Sequence, residues 1–213
     1  MKVLNLYACL GGNRLLWDNC EVTAVELDEE LAKLYQERFP NDKVIVADAH
    51  QYLLEHYKEY DFIWSSPPCP THSRIRKTNT GEGERKSAAT YPDMKLYEEI
   101  IFLDNFFKGK YCVENVISYY QPLIMAQEYD RHYYWCNFKI DKNFDMNKKR
   151  KNLFRMNNKE LENYHNVNLT TYKGVKRKDI ILRNLVESPV GKMIFDCAIE
   201  NYKNTNTNQT SLF

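Results

Sequence analysis

The sequence predicts an α/β protein built on a doubly wound parallel sheet. Three observations carry that expectation. Short β-prone runs alternate with stretches of helical periodicity from Val3 to Val113. A Gly11-Gly12 turn follows the first run. Acids, Glu26 and Asp48, end the second and third runs. Strands alternating with helices pair in parallel, with helices on both faces. In such sheets ligands bind beyond the C-terminal ends of the strands.

Taken in order, Val3–Tyr7 reads as a strand, followed by the glycine turn and a short helix through Leu15, Leu16 and Trp17. Val22–Val25 is the second strand. Leu31, Leu34, Tyr35 and Phe39 then recur at helical spacing, with Asp28 placed as the N-cap. Val44–Val46, a helix over Ala49–Tyr57 and a strand at Phe62–Trp64 follow. The stretch Arg74–Thr90 is polar and charged and reads as a long loop, functional or disordered. Leu96, Ile100, Ile101 and Leu103 mark a helix leading into the strand Lys110–Val113. After Pro122 the rhythm changes. Arg131–Phe138 reads as an aromatic strand, residues 139–183 show little periodicity, Val190–Tyr202 reads as a closing helix, and Asn204–Phe213 as a polar tail. The expected organisation is a core over 1–138, a small basic region over 139–183, a helix over 184–203 returning to the core, and the tail over 204–213.

With 213 residues, 43% of them hydrophobic and 28% charged, the chain is long enough for one good-sized core and is globular in composition. It has no apolar run near the ~20 residues that a membrane span needs, and its short N-terminal strand does not resemble a signal peptide. Six cysteines without a Cys-x-x-Cys pair argue against a zinc site and a disulfide framework, and fit a reducing cytoplasm. The net charge of +1 conceals an asymmetry: residues 139–183 hold 13 Lys and Arg against 5 Asp and Glu, a local +8 that leaves −7 on the rest. A basic segment on an acidic body suits a polyanionic partner. A Lys/Asn-rich solvated surface has the same composition.

Two runs carry chemistry. Asp61-Phe62-Ile63-Trp64-Ser65-Ser66-Pro67-Pro68-Cys69-Pro70 ends a strand in a proline-stiffened turn with a thiol at its tip. Lys110-Tyr111-Cys112-Val113 ends a second strand in Glu114-Asn115-Val116. A thiol and an acid at two strand ends form a candidate nucleophile and acid partner. The glycine turn does not match Gly-x-Gly-x-x-Gly. Glu26 is placed to accept from two ribose hydroxyls and Asp48 from an adenine amino group, so the pair favours an adenosine-containing ligand. Taken singly, each acid reads first as a helix cap.

These segments, in this order, resemble the DNA cytosine-5 methyltransferases over residues 1–120. Leu6-Tyr7-Ala8-Cys9-Leu10-Gly11-Gly12 is similar to the family's S-adenosylmethionine loop, Ser66-Pro67-Pro68-Cys69 to its Pro-Cys nucleophile motif, Ser73 to its downstream serine, and Glu114-Asn115-Val116 to its Glu-Asn-Val motif. The resemblance implies a Rossmann-like S-adenosylmethionine-dependent methyltransferase fold. It places the cofactor against Tyr7, Ala8, Leu10, Gly11 and Gly12, against Glu26 and Leu27, against Asp48 and Ala49, and against Ser66 and Pro68. It implies Cys69, Glu114, Asn115 and Arg131 as catalytic, with Asn115 bracing the turn and Arg131 holding the base carbonyl and Glu114. Double-stranded DNA is the implied partner, contacted by Ser73, Arg74, Arg76 and Lys77 and by Lys148, Lys149, Arg150 and Lys151. The loop after Cys69, with Arg85 and Lys86, is then a candidate lid over a flipped-out base.

The chain departs from the family in four places. Pro70 stands where the family has Gln. The Gln-x-Arg-x-Arg motif is reduced to Arg131-His132-Tyr133. The final Gly-Asn-x-Val is at best Arg183-Asn184-Leu185-Val186, which makes Asn184 the last cofactor candidate. The target-recognition region is limited to 139–183. This resembles a compact phage-type or orphan member with a minimal recognition region, expected either to read a site of only a few base pairs or to draw on a partner or a second subunit. An amino-methyltransferase is the first rival, since Ser66-Pro67-Pro68 opens its motif, but the aromatic fourth residue is replaced by Cys69. A tRNA cytosine-5 methyltransferase and a catalytically silent binding module are the others.

Overall fold

The computed structural model describes residues 1–74, 91–144 and 153–210, with side chains through residue 200 apart from that of Phe154. Among these described residues, seven strands form one sheet in the order β3-β2-β1-β4-β5-β7-β6. They are β1 (Lys2–Leu6), β2 (Glu21–Glu26), β3 (Lys43–Val46), β4 (Phe62–Ser65), β5 (Lys110–Val116), β6 (Gln127–Tyr129) and β7 (His132–Cys136). The helices are α1 (Glu29–Arg38), α2 (Ala49–His56), α3 (Lys95–Phe106), α4 (Asn158–His165), α5 (Lys178–Arg183) and α6 (Ser188–Thr210).

Strands β1 to β5 pair in parallel, as the alternation predicts. The period-2 pattern assigns their side chains to two cores. Val3, Phe62 and Trp64 face a core closed by α6 through Ile194 and Phe195. Leu4, Leu6 and Ile63 face one closed by α2 and α3 through Leu53, Ile100 and Leu103. Strand order reverses between β1 and β4, so the chain leaves both at one crevice, with Leu6 opposite Ser65 and Ser65 opposite Val113. The glycine turn, the Pro-Cys turn and the Glu-Asn-Val run therefore meet at the position where such sheets bind ligands.

The structure corrects several expectations. The sheet is mixed: β6 and β7 form a hairpin and β7 runs antiparallel to β5. A hairpin needs only a tight turn, here with Asp130 left-handed at φ 55°. Residues 12–16 form turns rather than a short helix. The left-handed Cys9 and Gly11 aim the chain away from helical dihedrals, and Trp17 is drawn into the core, its indole donating to the Gly191 carbonyl at 3.0 Å. Strand β5 continues through Glu114, Asn115 and Val116, so the acid lies within the strand. Helix α6 runs to Thr210, past the point where a polar tail is expected, because no Gly or Pro stops it. The stretch 139–183 includes α4 and α5, and Leu153, Leu161, Leu169 and Ile181 share a core cluster with Leu10 and Leu31 of the first half.

Candidate active site

The turn after β1 holds three left-handed residues, Tyr7, Cys9 and Gly11, with φ of 56°, 47° and 65°. Such a backbone turns successive N–H groups toward one side. The glycines are required here by the protein's own packing rather than by ligand approach alone. A Cβ on Gly11 would strike the rings of Phe39 and Tyr35, and one on Gly12 would meet the Val186 carbonyl. That contact brings the Leu185-Val186 segment onto the turn, while Asn184 is exposed at the end of α5.

Glu26 is 5% exposed at the end of β2. Its carboxylate accepts from the Cys9 N–H at 2.9 Å and the Asp28 N–H at 3.0 Å, which fixes it beside the turn. Leu27 next to it is 66% exposed, an apolar surface beside an acid. Asp28 caps α1 by accepting from the N–H groups of Glu30 and Leu31, and Asp48 caps α2 by accepting from Gln51 at 2.9 Å. Ala49 is buried behind it. The cap and ligand readings of Asp48 are compatible, since this carboxylate is exposed and spends one oxygen on the cap. The later chain reaches the same edge: Tyr172 donates to Asp28 at 2.9 Å and the Lys176 ammonium stands 3.5 Å from Glu26.

On the other side of the crevice, the Trp64 indole donates to the Ser66 hydroxyl at 2.8 Å. The buried Asn115 amide donates to the Pro67 carbonyl at 3.0 Å. Pro68 is exposed, and Cys69, half-buried, follows it. The Cys69 carbonyl accepts from the N–H groups of His72 and Ser73 at 3.0 and 3.1 Å. Ser73 forms a bridge with Ser118, and the Arg74 guanidinium donates to the Ser118 carbonyl at 2.9 Å. These bonds lock the Cys69 turn onto the end of β5. Burial, and then the nearby Glu114, push the Cys69 thiol up to about 11. It is therefore held as a thiol rather than a thiolate near neutral pH.

Glu114 is 7% exposed. The side chain beside it is not the expected one. The His132 Nε2 atom lies 3.5 Å from the Glu114 Oε1 atom, while Arg131, 44% exposed, turns to Asp130 at 3.7 Å. Arg76, Lys77, Arg85, Lys86, Lys148, Lys149, Arg150 and Lys151 lie outside the described residues.

A second carboxylate ties these pieces together. Glu99 on α3 is fully buried. It accepts from the Tyr7 hydroxyl at 2.6 Å and from the Ser65 hydroxyl at 2.6 Å, and it lies 3.1 Å from His50 Nδ1. One acid thus joins the glycine turn, the end of β4 and the first turn of α2. Its hydrogen bond raises the His50 pKa, and burial and its charge raise that of Tyr7. Neither Glu99 nor His132 emerges from the sequence reading. The available signal for Glu99 is its place on the Leu96-Ile100-Leu103 face, where an acid breaks an apolar stripe.

The family model for C-5 cytosine-specific DNA methylases matches residues 1–210. Among solved structures, a methyltransferase of Entamoeba histolytica is similar over 95% of this chain and 98% of its own, at 10% identity and a TM-score of 0.53. A DNMT2 mutant of Spodoptera frugiperda is 20% identical, covering 71% of this chain and 53% of that one, with a TM-score of 0.44. This chain thus spans about half of that protein. The Entamoeba likeness bears on the fold alone. No curated protein matches the chain.

Proposed function

The chain belongs to the C-5 cytosine-specific DNA methylases, and we propose that it transfers a methyl group from S-adenosylmethionine to carbon-5 of a flipped-out cytosine in DNA, with Cys69 as nucleophile. The observation that carries this reading is the Asn115–Pro67 hydrogen bond of 3.0 Å. It fixes the strand bearing Glu114 against the turn bearing Cys69.

The residues at the crevice fit the cofactor. Glu26 offers a buried, oriented carboxylate for ribose hydroxyls, with Leu27 beside it as an exposed apolar face and Asp48 as an exposed acid at the next strand end. Tyr7, Ala8, Leu10, Gly11 and Gly12 supply the turn, and we assign Ala49, Ser66, Pro68 and Asn184 to the same pocket on the strength of the resemblance. Bound there, S-adenosylmethionine supplies an electrophilic methyl on a sulfonium. Everything else falls to the protein. Cys69 gives its proton to water and its sulfur attacks carbon-6 as the thiolate, of which the raised thiol pKa leaves little in the free protein. Glu114 donates a proton to nitrogen-3, which neutralises the charge building on the ring. Carbon-5 becomes enamine-like and takes the methyl. Water then takes the carbon-5 proton, and elimination expels Cys69 as the thiolate.

We assign residues 139–183 to target recognition. The local +8 charge supports phosphate contact by Lys148, Lys149, Arg150 and Lys151, joined by Ser73, Arg74, Arg76 and Lys77. So short a region reads few base edges, which favours a second subunit or partner and a compact phage-type or orphan enzyme. No helix among the described residues is long and apolar enough to cross a membrane, and six free cysteines favour the reducing cytoplasm of a bacterial or phage-infected cell.

The test is to incubate the protein with labelled S-adenosylmethionine and, separately, DNA or tRNA, and to identify the labelled nucleoside. The reading expects 5-methylcytosine in DNA. Label in N4-methylcytosine, in N6-methyladenine or only in tRNA overturns it.

A further inference from the structure

We propose that His132 is the residue that positions Glu114 for proton donation. This rests on the cytosine-5 reading above and names a group that reading does not use. His132 stands opposite Val116 in the antiparallel β5–β7 register, and Glu114 stands opposite Tyr134. Residues two apart on a strand share a face, so Glu114 and His132 are diagonal cross-strand neighbours, within reach of long side chains. Nε2 lies 3.5 Å from Oε1, with 23% of the imidazole and 9% of the carboxylate side chain exposed. The Tyr134 ring meets the imidazole edge-on at 6.3 Å, which restricts its swing. Arg131, next in the chain, is half-exposed, and its guanidinium lies 3.7 Å from Asp130.

The separation is longer than a hydrogen bond, and catalytic contacts commonly tighten only when substrate enters. With Nε2–H directed at Oε1, the second oxygen of Glu114 is left for the base. The chemical class of this partner matters. A guanidinium always carries charge and opposes protonation of an adjacent acid. An imidazole donates while neutral, so it orients Glu114 without stripping its proton. Once water has taken the Cys69 proton, the thiolate lone pair forms the sulfur–carbon-6 bond and the carbon-5–carbon-6 pair shifts through the ring to nitrogen-3. Nitrogen-3 takes the Glu114 proton, and the resulting carboxylate faces the His132 N–H. When carbon-5 takes the methyl, that proton returns to Glu114.

The test compares His132→Phe, which keeps a ring but no donor, with His132→Gln, whose amide N–H reaches to a similar distance. kcat and the KM for S-adenosylmethionine are measured on plasmid DNA, with unfolding curves as the control for the fold. His132→Phe is expected to lower kcat at least tenfold with the cofactor KM unchanged, and His132→Gln to recover most of that loss. His132→Met replaces His132→Phe if the latter does not fold. Full kcat in the non-donor variant overturns the proposal, as does a Gln variant no better than Phe. Failure of the underlying reading is seen separately, because the wild-type protein would then put no methyl on cytosine before any variant is compared.

Discussion

Glu99→Gln is the perturbation that best probes how the crevice is held. Glu99 is fully buried and accepts two short hydrogen bonds, from Tyr7 and Ser65, each 2.6 Å. A hydrogen bond to a charged group contributes roughly 1.5–3 kcal/mol. The amide keeps one acceptor oxygen and turns an N–H toward the other hydroxyl, so about one such bond is lost. The expected destabilisation is about 2–3 kcal/mol. At roughly 2–4 °C per kcal/mol for a chain of this size, Tm falls by about 4–12 °C. Tyr7 opens the glycine turn in a left-handed conformation, so cofactor affinity falls as well. Thermal unfolding and calorimetric titration with S-adenosylmethionine read the two effects. A double-mutant cycle with Tyr7→Phe isolates the contact, and a coupling of about 1 kcal/mol or more is expected. Additive effects, or a Glu99→Gln protein with wild-type Tm and affinity, would refute the reasoning.

Three further outcomes follow from the same geometry. Glu26→Ala removes an oriented carboxylate and is expected to weaken S-adenosylmethionine binding by roughly 1.5–3 kcal/mol; calorimetry showing unchanged affinity in a folded protein removes the pocket assignment. Burial, with Arg38 beside it, pushes His165 down to about 4. The unfolded chain therefore binds the proton first, near 6.5, and this stabilisation is present above that pH and lost as pH falls through 4. It amounts to about 3 kcal/mol, and urea unfolding of wild type against His165→Gln at pH 7 and pH 4 should show the wild type losing more. The Cys69 thiol, at about 11, should be alkylated by iodoacetamide about tenfold faster per pH unit from pH 7 to 10, tracking the thiolate. A plateau near pH 8 in the labelled Cys69 peptide would contradict the burial argument.

The parallel half of the sheet is legible in sequence because each strand is a short β-prone run bounded by a turn, and because the helix after β2 shows a clean 31-34-35 periodicity behind the Asp28 cap. The Pro-Cys turn and Glu114 are legible because a proline-stiffened turn and a Glu-Asn-Val run are local features of the chain. The missed features depend on tertiary partners. β6 has three residues and no apolar alternation, so only its pairing with β7 defines it. Glu99 shows in the sequence only as an acid on an apolar helix face, and its partners appear once Tyr7 and Ser65 are brought onto it. Arg131 carries the charge the resemblance asks for, and only the register of β7 shows that His132 is the residue on the Glu114 face. The stretch 153–183 looks aperiodic because its apolar residues are spaced across two short helices and pack on Leu10 and Leu31.

Methyl transfer by this route requires Cys69 to bond carbon-6 of cytosine, and DNA containing 5-fluorocytosine tests that most directly, since fluorine cannot leave as a proton does. Incubated with S-adenosylmethionine and this DNA, the wild-type protein should give a complex stable to denaturant, linked through the Cys69 peptide, and Cys69→Ala should give none. A stable complex formed by Cys69→Ala, or a wild-type protein that methylates cytosine yet leaves the fluorinated DNA unbound after denaturation, would contradict it.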